Sequence, residues 1–158
     1  MTADFKVLNP NFDEVTRRFL MDMPIAQNFG FQITLVEPGR FEITQPYRRE
    51  LCFRDGVFQA GAVGALADFA GGCACMSLLP EGWVASTIDF TLKMLAPATG
   101  EKLVARGRVV QPGQTISVGA ADVYSIRDGK ETLCATALVT MRNFRLAASA
   151  GKLDGQGR

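Results

Sequence analysis

Residues 57–79 constrain the fold of this chain more than any other segment. The stretch reads VFQAGAVGALADFAGGCACMSLL, and Asp68 is its single side chain that is charged at neutral pH. Its apolar residues recur at helical spacing, so the stretch predicts one long helix. Because this helix carries so little charge, the rest of the protein has to cover it on nearly all sides.

Glycine is frequent in the predicted helix, and it shares a face with the aspartate. Each glycine lowers helix stability by roughly 1 kcal/mol relative to alanine. This cost suggests that a sheet, a partner helix or a ligand approaches the backbone closely. A carboxylate on that face is costly to bury unless it is paired or has a role in function, so Asp68 is the leading candidate for the functional residue. At helical spacing the Asp68 face also contains Gly61, Gly64, Ala65, Gly71, Gly72 and Cys75.

Two simpler interpretations of the same stretch have to be considered. The first is a transmembrane helix, but an Asp at mid-span costs ~2.5–3.5 kcal/mol on insertion, and Ala and Gly offset little of it. The sequence has no second such span, so a membrane span is not expected. The second is a structural Asp68 that is hydrogen-bonded to neighbouring backbone, and the residues of this stretch alone leave that alternative open.

The composition excludes several kinds of chemistry. The sequence contains no histidine, which excludes Ser–His–Asp and Cys–His catalysis and histidine-ligated metals. The net charge of +1 does not predict a nucleic-acid-binding surface. No secretory signal is visible at the start, so a cytoplasmic location is expected. The spacing of the four cysteines does not match a zinc site, so they are predicted to be buried thiols. These cysteines are Cys52, Cys73, Cys75 and Cys134.

Around the long helix, β-leaning runs alternate with turn residues. Asn11 and Glu14 predict a capping box that opens an N-terminal helix. The runs FQITLVE and RFEITQ predict a hairpin around a Pro-Gly turn. After the long helix, four runs predict a four-strand meander, at residues 84–95, 103–110, 115–126 and 132–141. In the first of these runs, strict alternation places Thr87 and Phe90 on opposite faces.

The order of these elements predicts an α+β fold class. No strand–helix–strand alternation appears, so a parallel doubly wound sheet is not expected. An antiparallel sheet of five to six strands that curls around one long central helix would account for the scarcity of charge on that helix. We expect a single domain over residues 1–146 and a flexible tail over residues 147–158, which has no apolar period.

Three pieces of the sequence resemble the hotdog-fold acyl-CoA thioesterases of the phenylacetic-acid-degradation type. They are GVFQAGAVGALADFAGG, STIDFTLKMLAPATGEKLVARGRVVQPGQT and DGKETLCATALVTM. The resemblance implies the hotdog fold, in which a curled antiparallel sheet surrounds a central helix. It also implies dimers with a continuous sheet and active sites at the dimer interface. The activity implied is hydrolysis of an acyl-CoA thioester to the free acid and CoA.

The resemblance also assigns roles to single residues. A His-Gly-Gly triplet typically begins the family's helix, and here it reads Gln59-Ala60-Gly61. The family's catalytic acid corresponds to Asp68, contributed by the facing subunit as general base or as nucleophile. The Ser or Thr that helps to hold the attacking water corresponds to Thr87. The backbone N–H groups of Ala60 and Gly61, near a helix N-terminus, would form the oxyanion hole.

Two departures from the family pattern favour a second hypothesis. Gln59 stands in place of the histidine, so it can donate a hydrogen bond but cannot shuttle protons. Phe53 stands where an Asn is frequent. The alternative is therefore a non-catalytic hotdog protein that binds an acyl-CoA or another lipid-like ligand. A hotdog dehydratase or hydratase is disfavoured, because those enzymes pair a histidine with an acid.

The remaining expectations concern the ligand and the assembly. The candidate substrate-binding residues are Phe53, Phe58, Phe90, Lys93 and Arg106, of which the two basic residues would hold CoA phosphates. CoA is part of the substrate, so no separate cofactor and no metal are expected. We expect a homo-oligomer, either a dimer or a dimer of dimers, because the small-residue helix face and an open sheet edge need covering.

Overall fold

The computed structural model describes residues 5–146, and the predicted tail at 147–158 lies outside them. The elements in chain order are α1 (Phe12–Met21), α2 (Pro24–Phe29), β1 (Gln32–Glu37), β2 (Arg40–Pro46), a 3-10 turn (Arg49–Leu51), β3 (Cys52–Arg54), β4 (Val57–Phe58), α3 (Ala60–Met76), β5 (Trp83–Met94), β6 (Lys102–Gln111), β7 (Ile116–Arg127) and β8 (Lys130–Arg145).

Six strands form one antiparallel sheet in the order β1-β2-β6-β7-β8-β5. The sheet curls around α3, which contacts β2, β5, β6, β7 and β8. β3 and β4 pair separately as a small two-stranded sheet just before α3. This arrangement confirms the predicted fold class, a curled antiparallel sheet around one long helix.

The predicted four-strand meander is wrong at its first step. β5 pairs with β8, whereas β6 pairs with β2 on the other side of the sheet. The connection between β5 and β6 crosses the sheet end near the start of α3. There the N–H of Leu95 donates to the carbonyl of Cys134, and the N–H of Phe58 donates to the carbonyl of Ala98. Because α3 is apolar on nearly all sides, strands on both of its flanks bury more of it than a meander on one flank would.

The α1 helix packs against α3 and the first hairpin, but its predicted capping box is wrong. Asn11 is the N-cap residue, yet its side chain makes no capping hydrogen bond. Instead the N–H of Asn11 donates to Oδ1 of Asn9 at 2.9 Å. On the inward side of α1, Leu20 is fully buried, and Phe19 packs against a cluster of buried residues that includes Met76 and Met141.

The central helix is shorter than the predicted range of 57–79. Residues 57–58 belong to β4, and Gln59 is the N-cap residue, so α3 begins at Ala60. At the other end the hydroxyl of Ser77, the C-cap residue, donates to the carbonyl of Ala74 at 2.7 Å. The helix therefore covers residues 60–76 of the stretch, and the residues on either side belong to β4 and to the turn that follows α3.

Glycines allow the sheet to approach the backbone of α3. A Cβ atom at Gly107 of β6 would lie 1.9 Å from the carbonyl oxygen of Ala70. A Cβ atom at Gly119 of β7 would lie 2.5 Å from the carbonyl oxygen of Gly71. These contacts explain the predicted close approach, because only glycine leaves room for the two backbones at such distances.

The described residues contain no helix that is long and apolar enough to cross a bilayer. All four cysteines are free thiols; Cys73, Cys75 and Cys134 are buried and Cys52 is half-buried. Burial raises the pKa of the Cys75 thiol to about 12. The prediction of buried thiols is confirmed for these three.

Candidate active site

Asp68 lies on the middle of α3 and points towards β5. It is half-buried, and its Oδ1 accepts a hydrogen bond of 2.9 Å from the hydroxyl of Thr87. The structure therefore brings together two of the residues singled out from the sequence. Along the chain, the second half of α3 and the turn after it lie between them. The hydroxyl has a single proton, and the carboxylate is the stronger of its two acceptors, the other being Sδ of Met141 at 3.4 Å.

The surroundings of Asp68 raise the pKa of its carboxyl group. Burial is the larger cause and raises the pKa, whereas the hydrogen bond from Thr87 lowers it. None of the ion pairs among residues 5–146 includes Asp68. A carboxylate with this raised proton affinity is suited to accept a proton from water near neutral pH.

A β-bulge on β5 places Thr87 beside Asp68. Thr87 pairs with Met141 and Asp89 pairs with Thr140, so Ile88 is an extra residue in this strand. As a result both Thr87 and Phe90 face α3, and the ring of Phe90 comes within 3.6 Å of a Cβ position built at Gly64. The predicted strict alternation, which placed Thr87 and Phe90 on opposite faces, is wrong because of this bulge.

The carboxylate of Asp68 opens into a cavity of about 300 Å³. Among the described residues that line it, only Asp68 carries a charge, and three methionines supply flexible apolar surface. The lining residues are Phe19, Met23, Asp68, Phe69, Gly72, Cys73, Met76, Ala85, Ser86, Thr87 and Met141. A small apolar cavity beside a carboxylate with a raised pKa is suited to hold the apolar part of a substrate against a proton acceptor.

Most of these lining residues could not be identified from the sequence. Phe19 and Met23 come from the N-terminal part of the chain, and Met141 comes from the last strand. No pattern in the sequence indicated that Phe19 of α1 faces Asp68. Cavity membership depends on how distant elements pack, and a periodicity within one element carries no such information.

The start of α3 differs from the expectation of two unoccupied N–H donors. The side chain of Gln59 accepts a hydrogen bond from the N–H of Gly61, as an N-cap does. In residues 5–146 the N–H of Ala60 has no acceptor. Gln59, Ala60 and Gly61 are all exposed, so this helix start is accessible from outside the protomer.

The helix start and Asp68 are too far apart to act on one carbonyl group within one protomer. Ala60 and Asp68 are separated by eight residues of α3, which at 1.5 Å per residue is about 12 Å. Reacting atoms have to come within about 3–3.5 Å of each other. A site that uses both groups therefore requires two copies of the chain.

The structure does not bring the five predicted substrate-binding residues to the Asp68 cavity of the same protomer. Phe58 is buried in the core and packs edge-on against Tyr47, so core packing accounts for it. Phe53 is 64% exposed on β3, and Phe90 is 43% exposed on β5. Lys93 is also exposed on β5.

Arg106 is held on the other face of the sheet. Its neighbour Gly107 faces α3, so the alternation of β6 directs Arg106 away from the helix. Its guanidinium donates two hydrogen bonds to Glu131, at 2.7 and 2.8 Å, and one of 2.8 Å to Glu42. These bonds raise the pKa of Arg106 and lower that of Glu131. They compensate the positive charge that a phosphate would otherwise bind.

Comparisons with known proteins give consistent results. Residues 56–132 match the family described as the Thioesterase superfamily. A crystal structure of a thioesterase family protein from Silicibacter pomeroyi is 34% identical, with a TM-score of 0.83, over 85% of this chain and 98% of that protein. A thioesterase from Haemophilus influenzae is similar in fold, with 22% identity and a TM-score of 0.79, over 92% of this chain and 99% of that one. A candidate esterase of Thermoplasma acidophilum is 26% identical over 135 residues, which is 84% of this chain and 97% of that protein.

Proposed function

The chain belongs to the thioesterase superfamily, and on that premise we propose that it hydrolyses an acyl-CoA thioester to the free acid and CoA. Membership supports thioester hydrolysis as the general chemistry. The observation that carries the more specific proposal is the Asp68 carboxylate, hydrogen-bonded to Thr87 and open to an apolar cavity. No other charged group of residues 5–146 lines that cavity, so Asp68 is the group proposed to supply acid–base catalysis there.

In the proposed reaction Asp68 acts on the thioester carbonyl in one of two ways. As a general base it removes a proton from water while the water oxygen bonds to the carbonyl carbon. The C–S bond then breaks, the acid is released, and the proton passes to the CoA thiolate. As a nucleophile its carboxylate displaces the thiolate first, and water hydrolyses the resulting anhydride. Thr87 orients the carboxylate in both cases.

We infer that the oxyanion donors come from a second copy of the chain. The β5 strand is an edge of the sheet and exposes Ile88, Phe90 and Met94. α3 runs antiparallel to β5, since Gly64 lies against Phe90 and Asp68 against Thr87. Antiparallel pairing of two β5 strands about a twofold axis would thus bring each Asp68 towards the other copy's helix start. There the N–H of Ala60 is the available donor for the developing oxyanion.

The cavity volume is the basis for a proposal on the acyl group. A volume of about 300 Å³ is equivalent to about ten water volumes of ~30 Å³, which corresponds to about ten non-hydrogen atoms. We propose medium-length or simple aromatic acyl groups rather than long-chain ones. For the CoA phosphates, Lys93 is the better candidate of the two predicted basic residues. Lys93 forms no ion pair with residues 5–146, whereas Arg106 is bound by two carboxylates.

One observation favours the second hypothesis, a non-catalytic acyl-CoA-binding protein. Gln59 occupies the N–H of Gly61, which halves the number of oxyanion donors at the helix start. A single donor of this kind is worth about 10²–10³ in rate, so its loss would slow hydrolysis without preventing binding.

The cytoplasmic location, expected from the sequence, stays a prediction.

Release of free thiol from a panel of aliphatic and aromatic acyl-CoAs tests the proposal. We expect turnover by the wild-type protein and a loss of at least a hundredfold in Asp68→Asn. Asp13→Asn is the matched control, because Asp13 lies on the exposed side of α1 and forms a surface ion pair with Arg17. Tight binding of an acyl-CoA with no thiol release by the wild-type protein would establish the binding hypothesis instead.

A further inference from the structure

A second cavity, larger than the one beside Asp68, lies near the C-terminal end of α3. Its volume is about 450 Å³, and it opens between the end of the helix, the start of β5 and the turn between β6 and β7. Its walls include Leu79, Trp83 and Val109, and none of the lining residues in the described part of the chain carries a charge. The proposed hydrolysis makes no use of this cavity.

One wall of the second cavity carries a buried hydroxyl group whose proton has no acceptor. Ser117 lines the cavity and is 3% exposed. Its Oγ accepts a hydrogen bond of 2.6 Å from the side-chain amide of Asn143, and it donates none to residues 5–146. A buried donor without a partner costs about 1–3 kcal/mol, so a partner within the cavity would be favourable.

The orientation of Asn143 fixes the direction of this hydrogen bond. The same amide nitrogen donates to the carbonyl oxygen of Gly113 at 2.8 Å, and that oxygen can only accept. The amide nitrogen of Asn143 must therefore face Gly113 and Ser117, and the Oδ1 atom of Asn143 is buried with no partner within residues 5–146. Ser117 cannot give its proton to Asn143, which leaves the cavity as the place for an acceptor.

We propose that this cavity binds a neutral apolar molecule that carries one hydrogen-bond acceptor, such as a ketone, ester or amide. The volume corresponds to about fifteen non-hydrogen atoms at ~30 Å³ each. No charged residue of the range 5–146 lines the cavity, which disfavours a carboxylate, because burying one without a partner costs several kcal/mol. The acceptor of the ligand receives the Ser117 proton, and Trp83 packs against its apolar part.

The chain provides its own reporter for this site, because Trp83 is its single tryptophan. The test is titration of the wild-type protein with 4′-bromoacetophenone, a neutral aryl ketone whose bromine quenches tryptophan fluorescence. We expect saturable quenching, in contrast to the linear quenching produced by random collisions. Ser117→Ala should weaken binding by up to about tenfold, the effect of one hydrogen bond. Val109→Phe, which fills the cavity, should abolish saturation.

Ser125→Ala is the matched control, since Ser125 is another buried serine of β7 but already donates to the carbonyl of Thr132. Its binding curve should equal that of the wild type. Purely linear quenching, or equal affinity in wild type and Ser117→Ala, would overturn the proposal, and the second comparison holds even if Val109→Phe fails to fold. Displacement of the ketone by a non-hydrolysable acyl-CoA thioether would also overturn it, because the ketone would then occupy the Asp68 cavity.

Discussion

Replacing Asp68 by Asn tests the catalytic proposal most directly, because Asn keeps the shape and removes the charge. The Oδ1 of Asn can still accept the hydrogen bond from Thr87, which is 2.9 Å long in the wild type. The loss in kcat/KM therefore measures the proton acceptor and not the position of the side chain. A positioned general base contributes about 10²–10⁴ in rate, equivalent to about 2.7–5.5 kcal/mol.

The same substitution should change stability in the opposite direction. Burial raises the pKa of Asp68 above its ordinary value of 3.8, so the folded protein binds that proton more tightly than the unfolded chain does. The free energy of unfolding is thus highest below the unfolded pKa, and it falls as pH rises towards the folded pKa. Asn does not ionise, so Asp68→Asn should have the higher Tm at neutral pH and should lose this advantage at about pH 3.

Two measurements check this prediction: thiol release at saturating and limiting acyl-CoA, and thermal melts at neutral and acid pH. Together they separate a functional carboxylate from a structural one. The catalytic role of Asp68 would be refuted if Asp68→Asn kept more than a tenth of the wild-type kcat/KM. It would equally be refuted if the variant were less stable than the wild type at neutral pH, since Asp68 would then be stabilising the fold.

Three further predictions follow from the geometry. Thr87→Val removes the hydrogen bond that lowers the pKa of Asp68, so the acid limb of the pH–rate profile should move to higher pH. Thr87→Ser keeps the hydroxyl and should leave the acid limb in place. An unmoved acid limb in Thr87→Val would contradict the pairing of Thr87 with Asp68. Acyl-CoAs with more than about ten acyl non-hydrogen atoms should show a steep fall in kcat/KM, and equal rates for long-chain substrates would show that the acyl group lies elsewhere. Gly107→Ala forces a Cβ atom against the backbone of α3 and should lower the free energy of unfolding by about 3 kcal/mol. At Gly64 a Cβ atom would meet its nearest side chain at an ordinary 3.5 Å, so Gly64→Ala should raise the free energy of unfolding by about 1 kcal/mol. Thermal melts compare the two variants, and a Gly107→Ala variant as stable as the wild type would contradict the close contact.

The Asp68–Thr87 contact shows how far sequence reasoning can reach. Asp68 stood out because it is the one charge in a long apolar helix, and burial of a lone charge has few explanations. Thr87 was identified through the family resemblance, since the alternation of its strand gave no reason to place it there. The bulge at Ile88, which directs Thr87 towards Asp68, has no mark in the local pattern of residues.

Gln59 and Arg106 are two residues for which sequence reasoning did not predict the hydrogen-bond partners. Gln59 and Arg106 are residue types that commonly bind substrate, and their sequence positions fit that role. In the structure Gln59 caps its own helix, and Arg106 is bound by Glu42 and Glu131. Hydrogen-bond partners from elements far apart in sequence decide whether a polar side chain is free, and spacing along the chain does not reveal them.

By itself, the sequence determined the class of the fold and the carboxylate at its centre. Both follow from short-range patterns: a helix without charge must be enclosed, and alternating strands after it supply the enclosure. Only the tertiary structure decided the strand order, the bulge at Ile88 and the two cavities at the C-terminal half of α3. These depend on contacts between residues far apart in the chain, and many pairings satisfy the same local pattern until the backbones of α3, β6 and β7 pack at their glycines.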